Sequence, residues 1–338
     1  MGNEALLPEP RGPLSAAAVE LLRDGIEPML EVDRADPFGE DLAVALHTLY
    51  EPHYQGFAGI DSDWEWSPVL LQYRRRLEWV FERALRDSVE PGDDVTAALD
   101  ELLVEPVPGE GVSHFLRDEG EWWQLQEYFV HRSIYHHKEA DPHAWVIPRL
   151  WGQAKAALVA VEFDEFGGGH ADRMHAQLYR DLMASSALDT GYLSYFDEVP
   201  APIIAVVDMM SLFGLHRRLR GAMVGHFAAA EITTGPSAAR MVKAMDRLGG
   251  DPHFFAEHIE ADAVHEQILR HDVIGDLLAR EPHLAGDVVF GVRATEFLES
   301  RFADHVLKSW RDGQTSLRRG AGVTAPPGTV QIPGGGSA

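Results

Sequence analysis

The chain has 338 residues, 45% of them hydrophobic, with 54 acidic against 29 basic residues for a formal net charge of −25, and no cysteine. That apolar fraction supports a sizeable core and excludes a disordered or fibrous chain, while the acidic balance disfavours a phosphate backbone as partner. The missing thiols remove disulfides, iron–sulfur clusters, thiolate zinc sites and cysteine nucleophiles, so any metal must be held by His, Asp and Glu.

In chain order, helix-period apolar residues first recur at Leu21, Leu22, Ile26, Met29 and Leu30, and again at Leu70, Leu71, Leu77, Val80 and Leu85. Further helical runs are predicted over 41–52, 94–104, 120–139, 145–164, 171–185, 201–215, 217–234, 236–248, 251–281 and 284–313. No strand-like alternation is long enough for a sheet, and there is no internal repeat. Glu90-Pro91-Gly92 and Pro106-Val107-Pro108-Gly109 bracket a short helix and suggest a joint near residue 110. Gly249-Gly250-Asp251-Pro252 ends one helix and caps the next. The reading is all-α, with an N-terminal helical extension over 1–110 packed on a core of 111–313. A Gly/Pro-rich tail over 314–338 is expected to be disordered. No apolar run approaches the roughly 18 residues of a membrane span, and the start lacks a signal-peptide pattern. A cytoplasmic protein without membrane attachment is expected.

Candidate chemistry begins at Glu127, a candidate inward carboxylate beside Trp122, Trp123 and Tyr128, which could line a substrate pocket, though a helix-surface glutamate and plain core aromatics are the more usual explanation. The run from Glu162 to His175 carries Asp164, Glu165, three consecutive glycines and Asp172-x-x-His175. Each glycine costs a helix about 1 kcal/mol relative to Ala, so the segment should open or kink and could aim Glu165 and His175 at one point. The competing view is an ordinary glycine break between solvated charges. His216-Arg217-Arg218-Leu219-Arg220 could bind a substrate carboxylate or simply pair with acidic neighbours. Glu231 stands alone in an Ala-rich stretch, where a buried carboxylate is costly unless paired or bound to a cation. His226, roughly 140° away round the same helix, is not expected to share that site.

The sharpest feature is His258, Asp262 and His265, spaced by four and three residues. At roughly 100° per residue they lie within about 60° on one helix stripe, a natural metal-ligand set. A core histidine with solvated neighbours is the plainer alternative. Two carboxylate-x-x-His units plus further carboxylates match the ligand demand of a di-iron site in a helical bundle.

Taken in order, Asp164-Glu165-Phe166-Gly167, Met174-His175, Arg217 to Gly221 through Glu231, and Glu257-His258 through Asp262 to His265-Glu266 resemble the haem-oxygenase-like di-iron oxidases. Bacterial members of that family are often called iron-containing redox enzymes. The resemblance runs from about residue 120 to 313 and implies a haem-oxygenase-like multi-helix bundle. It implies Glu165, His175, Glu231, His258, Asp262 and His265 as ligands to two iron ions. Asp172 stands where some members have an extra mobile glutamate, and its shorter side chain weakens that role. Also implied is an oxidase or oxygenase that activates dioxygen, its co-substrate, for N-oxygenation, oxidative C–C cleavage or desaturation. The expected partners are a small amino-acid-, amine- or fatty-acid-like substrate, an electron donor and a second copy of the chain, with no nucleic acid. Ferritin-like iron proteins would use similar residues but normally carry two Glu-x-x-His units. A non-catalytic helical binding protein would leave the stripe accidental.

Overall fold

A computed structural model describes residues 5–105 and 107–319, and for 260–263 the backbone alone. Among the described residues there is no strand. Helices follow in the order α1 (Pro13–Asp24), α2 (Glu40–Tyr50), α3 (Pro68–Ser88), α4 (Val95–Leu102), α5 (Val112–Asp118), α6 (Trp122–His136) and α7 (Asp141–Ala144). Then come α8 (Gly152–Glu165), α9 (His175–Ser185), α10 (Ala201–Leu215), α11 (Arg220–Leu248), α12 (His253–Gln267), α13 (Gly275–Arg280) and α14 (Ala285–Arg311). Among the described residues, no helix is long and apolar enough to cross a membrane.

Local chemistry explains several of these boundaries. Asp94 caps α4 by accepting from the Ala97 amide at 3.0 Å, satisfying a donor the helix cannot use. Gly249 closes α11 in the left-handed conformation at φ 77°, which glycine adopts without strain. Asp251 then accepts from the His253 amide at 3.0 Å and starts α12. Helix α10 is buried along nearly its whole length, and its all-round apolar sequence suits a central position.

Helix α11 is the axis of the bundle, lying along α12 on one side and α14 on another. The α11–α14 approach depends on two glycines. A Cβ added at Gly225 would collide with the Val288 carbonyl, and one at Gly291 with the Ala222 carbonyl. Neither neighbour is a flexible side chain, so the helices themselves would have to separate. Gly225→Ala is expected to destabilise the fold by about 1–3 kcal/mol, seen as a lower urea midpoint with an unchanged slope. An unaltered midpoint would mean that this contact yields freely. Helix α2 packs against α1, α3 and α10, while α3 and α4 reach α14, so the N-terminal helices share one apolar core with the rest.

Several helical runs differ from expectation, including 145–164, which is α-helical only from Gly152, and the apolar residues Ile26, Met29 and Leu30, which lie past the end of α1 at Asp24. The runs 217–234 and 236–248 form, from Arg220 on, one helix through Pro236, with 217–219 a separate 3-10 turn before it. The lost hydrogen bond and ring clash cost about 3 kcal/mol, which burial of Ala238, Met241, Ala244 and Met245 beyond it offsets. The run 251–281 is not a single α-helix, because 268–274 is wound as a π-helix between α12 and α13. The run 171–185 begins as a separate 3-10 turn at 171–173, and α9 starts only at His175. Of the expected tail, residues 320–338 lie outside the described residues. Residues 314–319 start it later than composition suggests, with Ser316 and Leu317 buried. The anchor is Glu127, whose carboxylate accepts from the Ser316 amide at 2.9 Å, the Ser316 hydroxyl at 2.6 Å and the Trp310 indole at 2.8 Å. Glu127 is therefore inward, as one reading had it, yet committed to this anchor.

Candidate metal centre

Four chain segments converge on one buried cluster of acids and histidines. Helix α8 ends at Glu165, and Gly167, Gly168 and Gly169 follow with φ of 71°, 62° and 86°. Three successive left-handed residues turn the chain sharply, a course that residues with a Cβ rarely take. The turn carries His175 back to Glu165, with Nδ1 2.8 Å from Oε2. Helix α11 supplies Glu231, and α12 supplies His258 and His265. The fourth contributor is Glu139, in the turn after α6.

These side chains fall into two groups of three. Glu139, His175 and His258 offer ligand atoms all within 4.8 Å of one another, as do Glu165, Glu231 and His265. All six are buried. The groups adjoin through the Glu165–His175 contact and through the His175 and His258 rings, whose centroids are 4.4 Å apart. Glu165 also approaches His265 Nδ1 at 3.5 Å, and Glu231 approaches it at 3.2 Å. The 2.8 Å Glu165–His175 contact lacks hydrogen-bond alignment, and His175 Nδ1 has no hydrogen-bond partner. For this pair, ligands aimed at a common third atom rather than at each other would be arranged this way, whereas His265 hydrogen-bonds Glu231 through Nδ1 at 3.2 Å and Asp164 through Nε2 at 3.3 Å.

His258 shows the preparation for a metal most clearly. Its Nδ1 lies 2.8 Å from the Phe254 carbonyl oxygen, which can only accept, so the proton sits on Nδ1. Nε2 is then a bare lone pair, buried and without a partner. A backbone carbonyl orienting a histidine in this manner is a common outer contact of metal sites. The donor set of three imidazoles and three carboxylates suits iron, manganese or zinc.

Without a cation the cluster is electrostatically strained. Burial would lower the His175 pKa, but Glu165 overcomes it and holds the imidazolium to about 9. For His265, burial likewise pulls down and Glu231 and Glu165 push the pKa up. Burial raises the Glu231 carboxyl to about 7, against the pull of His265. Glu162, one turn before Glu165 on α8, is raised by burial and then by Glu165 to about 9, and neither of its oxygens has a partner. Glu139 goes the other way: burial would raise it, but His136, 2.7 Å away, brings it to about 2. Burial, then His175, lowers His258.

A pH dependence follows for the metal-free protein. Folded-state pKa values raised above the unfolded ones stabilise the fold at low pH and lose that contribution as pH rises. Glu231, Glu162 and His175 all fall in this class, with folded values of about 7, 9 and 9. Stability is therefore expected to drop between pH 7 and 9, with a limiting slope of about 1.4 kcal/mol per pH unit for each proton held. Melting curves of chelator-treated protein at pH 7, 8 and 9 test this. A midpoint constant or rising over that window would contradict it.

A cavity of about 570 Å³ opens onto this cluster, reached by Glu139, Glu165, Glu231 and His258 and walled by Met210, Phe227, Ile232, Met241, Phe254 and Phe255. The other expected residues are placed differently. Asp172 lies exposed in the turn at 171–173, off α9, because the glycines break the helix that would have aligned it with Glu165. Asp262 is on α12, with its side chain outside the described residues. His226 is buried and lines the same cavity. Arg218 pairs with Glu82, and Arg220 with Glu281, so these cations are spent on the acidic surroundings. Glu139 was missed because it lies past the end of α6, where helical periodicity gives no direction.

A family model described as iron-containing redox enzyme matches residues 126–300, just over half of the chain. The match spans every one of the six clustered residues. No curated protein matches the sequence.

Proposed function

The chain belongs to the iron-containing redox enzymes, and from that premise we propose that it is a non-haem di-iron oxidase or oxygenase acting on a small molecule in the cavity. The observation that carries this is the division of the buried cluster into two sets of three ligand atoms. Bound there, iron would supply redox equivalents and open coordination positions for dioxygen.

In this reading Glu139, His175 and His258 hold one ion, and Glu165, Glu231 and His265 hold the other. Asp262, on the same helix as both α12 histidines, is proposed as a seventh ligand. Each site would have a carboxylate to balance the ion's charge and at least one neutral imidazole. His258 is poised by the Phe254 carbonyl, whereas His175, held protonated by Glu165, must give up a proton before it binds, and Glu231 and Glu165 push His265 in the same direction. Metal uptake should therefore release protons and go on strengthening as pH rises through neutrality toward about 9. Phe227, Phe254 and Phe255 are buried and make this part of the cavity wall apolar, and a less polar surrounding strengthens electrostatic contacts.

Loading with ferrous iron under argon is expected to give about two irons per chain, read by iron analysis after gel filtration. Partial occupancy with a measurable second site fits the proposal. No retained iron, with the helical circular dichroism intact, overturns it.

A further inference from the structure

Three more histidines line the cavity without belonging to the metal cluster: His136, which is tied to Glu139 at 2.7 Å, and two free of such a contact, His143 from α7 and His226 from α11. The ring centroids of the latter two are 5.3 Å apart and each is about 1% exposed. His143 lies flat on Phe227, 4.1 Å between centroids and 7° between planes.

The hydrogen bonds around His226 fix its tautomer. Thr295 Oγ1 is 2.8 Å from the Gly291 carbonyl oxygen, and the hydroxyl must spend its one hydrogen there, since a carbonyl only accepts. The same Oγ1 is 2.8 Å from His226 Nδ1, so Nδ1 carries the proton and donates to it. Nε2 is left as an acceptor, buried and unpartnered. Both ring nitrogens of His143 are also buried and unpartnered, and a neutral imidazole offers one acceptor in either tautomer. Burial keeps both rings neutral at pH 7, lowering His226 to about 4 and His143 well below its usual value.

The charges around the cavity point in the same direction. Arg132 is gripped by both oxygens of Glu299 at 2.8 and 2.7 Å, and Arg240 by Glu105 at 2.8 and 3.0 Å. Glu101 and Glu296 line the cavity and form no ion pair among the described residues. An entering carboxylate would thus meet unpaired acids and no uncommitted Lys or Arg in the lining. A hydroxyl group has one hydrogen and can satisfy one of the two acceptor rings, whereas an amine nitrogen has enough for both.

We propose that His143 and His226 form a subsite that accepts hydrogen bonds from the primary amine of a substrate with an apolar chain. This deepens the reading of the cavity as a substrate site beside the metal ligands and rests on it. Along α11, His226 and Glu231 are five residues apart, an axial rise of about 7.5 Å with about 140° of rotation, so their side chains are separated by more than the rise. A chain of at least about six extended carbons is therefore needed to seat its head on the histidines and bring its far carbons toward the ligand cluster.

The test uses n-hexylamine, n-hexanol and hexanoate as probes in calorimetric titrations of the full chain, both metal-free and loaded with ferrous iron under argon. Hexylamine is expected to bind about tenfold or more tighter than the other two in both forms, as one net hydrogen bond would give. His226→Phe should abolish that preference. If that variant does not fold, Thr295→Val serves, because it removes the contact that keeps the proton on Nδ1 and is expected to weaken the preference severalfold. In ring-15N-labelled metal-free protein, His226 should show a protonated Nδ1 and a bare Nε2. A proton on Nε2, equal binding of hexylamine and hexanoate, or an undiminished preference in Thr295→Val overturns the subsite. Two irons per chain without amine preference sinks the subsite alone. Amine preference without iron supports the subsite and sinks the di-iron reading instead.

Discussion

Replacing His258 by alanine is expected to lower the iron content from about two to about one per chain and to cut substrate-dependent dioxygen consumption by a hundredfold or more. The size follows from what is removed. Disturbing only the outer partners of metal ligands typically costs about 10–100-fold in affinity or activity, and His258 is placed to contribute a ligand atom itself. Its Nε2 is already deprotonated and aimed into the cluster, because Nδ1 is committed to the Phe254 carbonyl at 2.8 Å. Alanine leaves Glu139 and His175 as a pair, too few to hold one ion firmly. Glu165, Glu231 and His265 remain as the second group, so one iron should survive. Asp172→Ala is the matched control. Asp172 is exposed in a turn off the cluster, and its removal should change neither iron content nor oxygen consumption. Two irons and undiminished turnover in the His258 variant would remove this residue from the centre. Loss of both irons would mean that the two groups hold their ions cooperatively rather than separately.

The sequence carries some parts of this site openly and hides others. His258 and His265 were visible because both lie on one unbroken helix, where spacing fixes direction. Glu231 stood out as a lone carboxylate among alanines, a pattern that only pairing or a cation makes tolerable when buried. Glu165 and His175 depended on what three glycines would do, and their positive φ values do bring the two together. Spacing failed for Asp172 for the same reason, since a helix phase cannot be carried across a left-handed turn. Glu139 left no local trace. It sits after the last turn of α6, and only tertiary packing brings it within 4.8 Å of atoms on α9 and α12. The bundle itself was legible from apolar periodicity, while Pro236 inside α11 and the π-wound 268–274 were not. In both places tertiary burial overrides a local preference.

The second large effect is expected at Lys138, the residue before Glu139. Lys138→Met should destabilise the protein by about 3–5 kcal/mol, the usual consequence of removing one partner of a buried ion pair. Lys138 is 2% exposed, its ammonium lies 2.8 Å from Glu51 Oε2, and it sits 4.3 Å above the centre of the Tyr54 ring. Glu51 is fully buried just beyond α2, and its other oxygen accepts from the Tyr192 hydroxyl at 2.7 Å. Without the ammonium, one buried carboxylate would keep the Tyr192 hydroxyl and the Gln55 amide and be left with only His47, 3.8 Å away, whose charged form burial disfavours. Methionine matches lysine in length and apolar stem, so the loss should come from charge rather than from a cavity. The double variant Glu51→Gln, Lys138→Met should then regain more than half of the lost stability, because the orphaned charge is gone. Urea unfolding of both single variants and the double variant closes the cycle. Lys138 joins residues 87 positions apart in sequence, tying the N-terminal helices to the turn that presents Glu139. A Lys138→Met protein should therefore also take up iron less completely than its global stability alone would dictate. If the two single variants add without coupling, the pair is an incidental contact. The turn at Glu139 must then be held by the His136 contact at 2.7 Å instead.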